Sequence, residues 1–230
     1  MDADESSQQY LCGSWQGFIQ QIVYQFGRGY EHFCLTVLPD EKRDKWLMID
    51  NKLISKYGCN RSKYQRYRSK AKGEANYVYL RWQHLALLLR TKGTLKPESD
   101  RFCDIHEHDL RIPISSLVTM KIHKRRKETT TVFLSKDTIK GMKAEFADII
   151  GKDHFDKSFI TKRVLTIWDY TNGFPQYSGL IEQRSQILDF VVKKCRKHNI
   201  PLKREDFRFN TKRKIYKVWL ESPDTIPEDA

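Results

Sequence analysis

The chain has no Cys-x-x-Cys pair, no apolar run near the ~18 residues of a membrane span, and no glycine-rich phosphate loop. Its five cysteines, Cys12, Cys34, Cys59, Cys103 and Cys195, are odd in number and widely spaced. That excludes a zinc ribbon or thioredoxin-type motif, fits a disulfide scaffold poorly, and leaves buried thiols in a reducing compartment. Gly27-Arg-Gly29 and Lys92-Gly93 lack nucleotide-loop spacing, and neither Gly-x-Ser-x-Gly nor His-Glu-x-x-His occurs. There is no internal repeat and no low-complexity linker. The opening MDADESSQQY reads as neither a secretory signal nor a transit peptide, so an intracellular, cytoplasmic protein is expected, or a nuclear one in a eukaryote.

Bases are missing from both ends. Residues 1–8 carry Asp2, Asp4 and Glu5, and 221–230 carry Glu221, Asp224, Glu228 and Asp229. The two ends read as short acidic, disordered tails, covering 1–9 and 221–230. Setting these seven acids aside makes the remaining body seven charges more positive than the whole chain's +13. A body so basic repels itself unless a polyanion is near, and nucleic acid is the commonest polyanion in cells. Hydrophobic residues at 39% and aromatics at 12% suffice for a packed core, which rules out wholesale disorder.

Periodicity orders the elements. Trp15, Phe18, Ile19, Ile22, Val23 and Phe26 stripe one helix, stopped by Gly27 and Gly29. Residues 30–38 alternate as a strand. Pro39-Asp40 then opens a helix with Asp40 as its N-cap, Trp46, Ile49, Leu53 and Tyr57 as its stripe and Gly58 as its stop. Residues 59–76 show no apolar period and read as a long exposed loop. The apolar run 77–89 reads as one strand or two around a bulge. Positions 94–111 read as loop with a short strand, and 117–123 with 129–134 as a β-hairpin. Ser135 caps a helix ending at Gly151. Further helices are expected over 156–170 and 179–197, with a terminal strand over 215–220. The fold class is α+β: an early strand–helix–strand unit of ferredoxin or RRM-like type with a β-hairpin, over 10–134, then a mostly helical segment with a terminal strand, over 135–220.

The strongest functional pattern is Asn60–Lys72, with six bases (Arg61, Lys63, Arg66, Arg68, Lys70 and Lys72), no acid, and Tyr64 and Tyr67 interleaved. Bases in this arrangement neutralise phosphates, while a tyrosine face stacks on an unpaired base. Two further basic stretches agree. One is the hairpin tip Lys124, Arg125, Arg126 and Lys127. The other runs from Lys193 to Lys217, where eleven bases include Lys203, Arg204, Lys212, Arg213 and Lys214. A broad footprint on DNA or RNA follows, within a ribonucleoprotein or mobile-element complex, with no cofactor needed for binding.

Chemistry is suggested by Cys103-Asp-Ile-His-Glu-His-Asp109. On an extended segment Asp104, His106 and His108 share a face, a donor set for a divalent ion such as Mg²⁺ or Mn²⁺. His106-Glu107-His108 together with Tyr67-Arg-Ser-Lys70 resembles the HUH endonucleases of plasmids and transposons, across about 30–125. That family has an RRM-like fold, a metal-binding His-hydrophobic-His pair and a tyrosine nucleophile. Here Glu107 stands between the histidines, and the tyrosine precedes them. The resemblance implies Tyr67 attacking a scissile phosphate while a metal on His106, His108 and Asp104 polarises the phosphoryl oxygen. Three readings follow: a nucleic-acid binder, a metal-dependent endonuclease or strand-transfer enzyme, and a basic adaptor for an acidic protein.

Overall fold

The computed structural model describes residues 9–94, 101–124, 129–152 and 155–220. The architecture is α+β, with antiparallel sheets early in the chain and helices after residue 135. Its contacts divide it into two units. Unit 1 holds residues up to His108, Lys124–Thr130 and the segment from Tyr216; unit 2 holds Asp109–His123 and Thr131–Ile215. A second small sheet thus groups with the late helices.

Unit 1 begins with α1 (Trp15–Gly27), started by Ser14, whose Oγ accepts from the Gly17 amide. β1 (His32–Val37), α2 (Trp46–Tyr57), α3 (Lys63–Ala71), β2 (Tyr77–Trp82), β3 (Leu85–Arg90) and β4 (Cys103–Asp104) follow. The four strands form an antiparallel sheet in the order β2-β3-β1-β4. Strand register puts Tyr77, Tyr79, Ala86, Leu88 and Cys34 on one face, packed with Trp46, Tyr57, Ile49 and Leu53 from α2. On the opposite face Trp82 and Phe33 meet Phe18 and Phe26 of α1, ring centroids 6.5 Å apart in each pair. Every residue of β2 is buried, so its apolar run shows none of the alternation a half-exposed strand would have.

One buried polar group crosses this core. Asp50 of α2, fully buried, accepts from the Tyr79 hydroxyl at 2.6 Å and from Arg81 Nε at 2.8 Å. Arg81 is only 3% exposed and lies 5.6 Å from the centre of the Trp46 ring. Burial pushes the Asp50 carboxyl above its ordinary range, opposed by the Tyr79 and Arg81 bonds.

Four expectations need correction in unit 1. Asp40 does not cap the second helix: a 3₁₀ turn over Asp40–Lys45 comes first, and α2 starts at Trp46. Residues 59–76 are not a loop, since they contain α3. The run 77–89 is a hairpin with a Gln83-His84 turn, in which Gln83 takes φ 47°. The segment 215–220 forms no regular strand; it follows the N-terminal chain through the single bridge Cys12–Trp219, with Gly13 N donating to Val218 O and Leu220 N to Leu11 O.

Unit 2 has an antiparallel sheet β5-β6-β7 (Leu110–Pro113, Thr119–His123, Thr131–Leu134), the expected hairpin being β6–β7. Helices α4 (Lys136–Ile150), α5 (Lys157–Tyr170) and α6 (Ser178–Lys197) follow, with Ser135 and Asp156 as side-chain caps of the first two. Gln183 of α6 closes the edge of β7, its amide bonding both the N–H and the C=O of Leu134. Buried Arg184 donates to Asn172 Oδ1 and to the Asn210 carbonyl, with the Phe209 ring 4.6 Å away. Phe207 and Phe209 both pack on Trp168, so these aromatics of the late basic stretch serve the core. Among the described residues no helix is long and apolar enough to cross a membrane.

Candidate nucleic-acid interface

α3 carries the basic pattern. Its start is a capping box: Ser62 Oγ accepts from the Gln65 amide, and the Gln65 side chain accepts from the Ser62 amide. Helical geometry then sorts the side chains. Lys63, Arg66, Tyr67 and Lys70 fall at i, i+3, i+4 and i+7 on one face, while Tyr64 and Arg68 lie to the side of it.

The helix is fastened to its neighbours by polar side chains. Arg66 Nη2 donates to the Cys59 carbonyl at 2.8 Å, and Arg61 Nη1 to Ser69 Oγ at 2.9 Å. Gly58 permits the Arg61 contact: at φ 59° it ends α2, and a Cβ there would come within 3.1 Å of Arg61 Nε. Asn76, at the start of the β2–β3 hairpin, donates through Nδ2 to the Arg66 carbonyl, and its backbone amide donates to Thr91 Oγ1.

Lys63, Arg66, Tyr67 and Lys70 line a cleft of about 570 Å³. Its other walls are Arg28–Glu31, between α1 and β1, with Asn76, Thr91 and Lys92 at the ends of the hairpin strands. Five bases and one carboxylate, Glu31, therefore face the same space. Glu31 is already engaged: it accepts from Lys124 Nζ at 2.9 Å, and it sits 3.2 Å from His106 Nε2 and 3.3 Å from Lys92 Nζ. Burial alone would raise its carboxyl, but Lys124 and His106 outweigh that and hold it down at about 2. Within the α3 wall, Arg66 Nε and Asn76 Oδ1 are buried without a hydrogen-bond partner.

The remaining expected site residues are dispersed. Lys72 follows α3 as its C-cap and is exposed. Lys124 is not presented to a groove: it donates to Glu31 and to the Phe26 carbonyl in the last turn of α1. Arg125, Arg126 and Lys127 lie outside the described residues. In unit 2, Arg204 is bonded to Asp189 and to Ser185 Oγ, and Lys203 lies 3.7 Å from Glu205. Lys212, Arg213 and Lys214 are exposed, with the Arg213 guanidinium 6.0 Å from the Tyr177 ring centre. Arg28 and Lys92 complete the cleft from far along the chain, and no local pattern marked them.

The donors for a metal do not converge. Asp104 ends β4, and its Oδ1 accepts from the His106 amide within a turn. His106 Nε2 is turned to Glu31, and His108 is exposed. Among the described residues no group of three or more His, Cys, Asp or Glu side chains could hold a metal ion. Asp104, His106 and His108 as placed therefore do not form the donor set for a divalent ion that the HUH resemblance implies. Tyr67 keeps its place in the basic cleft. Comparison with protein-family models, with curated proteins and with solved structures finds no match to this chain.

Proposed function

We propose that this chain binds nucleic acid through the basic cleft beside α3. The observation that supports this most directly is the convergence of Arg28, Lys63, Arg66, Lys70 and Lys92 on one space whose single carboxylate is already paired. Holding these cations together in the absence of an anion costs repulsion, and a phosphate backbone relieves it while releasing its own counterions. An exposed tyrosine among the cations supports nucleic acid over an acidic protein surface, since it offers a ring to a base.

Fluorescence anisotropy tests this with a labelled single-stranded DNA, its duplex and a hairpin RNA, each at two salt concentrations. Each phosphate neutralised adds about −0.7 to the log–log salt slope for a single strand and about −0.9 for a duplex. The pair Lys63→Ala and Lys70→Ala should flatten that slope by about 1.4 on a single strand. No binding by the wild type at low salt, or a slope unmoved in the double variant, refutes the reading. A denaturing gel of the same mixtures with Mn²⁺ separates binding from strand scission; cleavage lost in Tyr67→Phe would add phosphodiester chemistry to the cleft.

A further inference from the structure

We infer that the cleft holds a single unpaired strand, with one base stacked on Tyr67 and the flanking phosphates on Lys63 and Lys70. This rests on the nucleic-acid reading above and names its ligand class. Three exposed aromatic rings stand out in unit 1 among the described residues, Tyr24, Tyr64 and Tyr67. Tyr24 has the Arg28 guanidinium 5.4 Å from its ring centre, and Tyr64 has that of Arg68 at 4.5 Å. Tyr67 stands apart from both: it is 71% exposed, it lines the cleft, and no cation of the described residues lies over its ring.

The surroundings fit one nucleotide rather than a duplex. A volume of about 570 Å³ falls in the small-ligand range of roughly 300–1,000 Å³, and the space is a recess, whereas a duplex groove is read by an element that projects. Lys63 and Lys70 stand about one helical turn to either side of Tyr67, so a base on the ring has a cation towards each neighbouring phosphate. Arg28 and Lys92 supply positive charge from the other walls. Stacking on an aromatic ring needs an unstacked base, which a single strand presents and a paired duplex withholds.

The test compares Tyr67→Ala, Tyr67→Phe and Tyr64→Ala with the wild type on a labelled single-stranded oligonucleotide and on its blunt duplex, at one salt concentration. Both tyrosines are exposed, so folding is preserved, and circular dichroism checks it. Tyr67→Ala should weaken single-strand binding about 5- to 150-fold, while Tyr67→Phe, which keeps the ring, stays within about threefold. Tyr64→Ala should change little, and no variant should move duplex affinity by more than about threefold. Equal losses on strand and duplex, a larger loss from Tyr64→Ala, or a wild type that prefers the duplex would each overturn the inference and leave the cleft as a general phosphate surface. A wild type that binds neither ligand overturns the nucleic-acid reading itself.

Discussion

Removing Asp50 should cost more than any surface substitution in unit 1. Asp50 is buried beneath α2, and it is the carboxylate bonded to Arg81, a guanidinium 3% exposed inside the same core. Asp50→Ala leaves that charge without its partner and the Tyr79 hydroxyl without its acceptor. Breaking a buried pair from one side costs about 3–5 kcal/mol, against total stabilities of about 5–15 kcal/mol. With a urea m value of about 2 kcal/mol/M, the midpoint should fall by roughly 2 M. The triple change Asp50→Leu, Arg81→Met and Tyr79→Phe removes the carboxylate, the guanidinium and the Tyr79 hydroxyl together. It should recover most of that loss, because well-packed apolar groups replace buried pairs at little or no cost. Urea titrations followed by circular dichroism and tryptophan fluorescence measure both, Trp46 lying against Arg81 as a local reporter. A midpoint within about 0.5 M of wild type for Asp50→Ala would mean that Arg81 finds water, and the argument from burial would fail.

Glu31→Gln removes the negative charge shared by Lys124, His106 and Lys92. Because the folded carboxyl sits at about 2 and not at its ordinary 4.5, its contribution is complete above about pH 4.5 and is lost as pH falls through about 2. Allowing for the exposed Lys92, the gap between wild type and variant should be about 1–2 kcal/mol at pH 7 and should narrow below pH 4; a gap constant from pH 7 to 3 contradicts this. In unit 2, Gly179→Ala should destabilise by about 1–3 kcal/mol despite the better helix former, since a Cβ there would lie 2.7 Å from the Val132 carbonyl and 2.5 Å from the Phe133 ring. A thermal midpoint equal to or above wild type would show that β7 yields.

Legibility followed the presence of a single dominant cause. α1, α4 and α5 each bury one stripe behind a side-chain cap, and their limits were readable to within about two residues. α3 was not, because only Ser69 of its residues is buried and no apolar period exists to find. What makes it a helix is the capping box Ser62–Gln65 and the anchoring of Arg66, Arg61 and Asn76, of which the Ser-x-x-Gln spacing was visible. The hairpin of β2 and β3 was hidden twice: both strands are buried on both faces, and Gln83-His84 is a turn without glycine or asparagine. Within the cleft, Lys63, Arg66, Tyr67 and Lys70 came from the sequence as a cluster. Arg28 and Lys92 join them only through the sheet, which brings the start of β1 beside the end of β3, His32 opposite Arg90.

That sheet also bears on the proposed stacking, which falls to a helix. A four-stranded RRM sheet stacks bases on aromatics of one uncovered face. Here α1 covers one face through Phe18 and Phe26, and α2 covers the other through Trp46 and Tyr57. Tyr77 and Tyr79 of β2 are consequently spent on packing and on the Asp50 bond, each less than a tenth exposed. No base can reach them without undoing the core. A ring for stacking in this unit has to stand outside the sheet, on an element fastened firmly enough to hold its place. α3 meets both conditions: its side-chain anchors are to Cys59, Arg61 and Asn76, whereas Lys63, Tyr67 and Lys70 project from it into water. Weakening the anchor while leaving the projecting residues intact, as in Asn76→Ala, should therefore lower single-strand affinity although no cation and no ring is lost. Unchanged binding by a folded Asn76→Ala would show that the cleft works as loose charge and not as a positioned site.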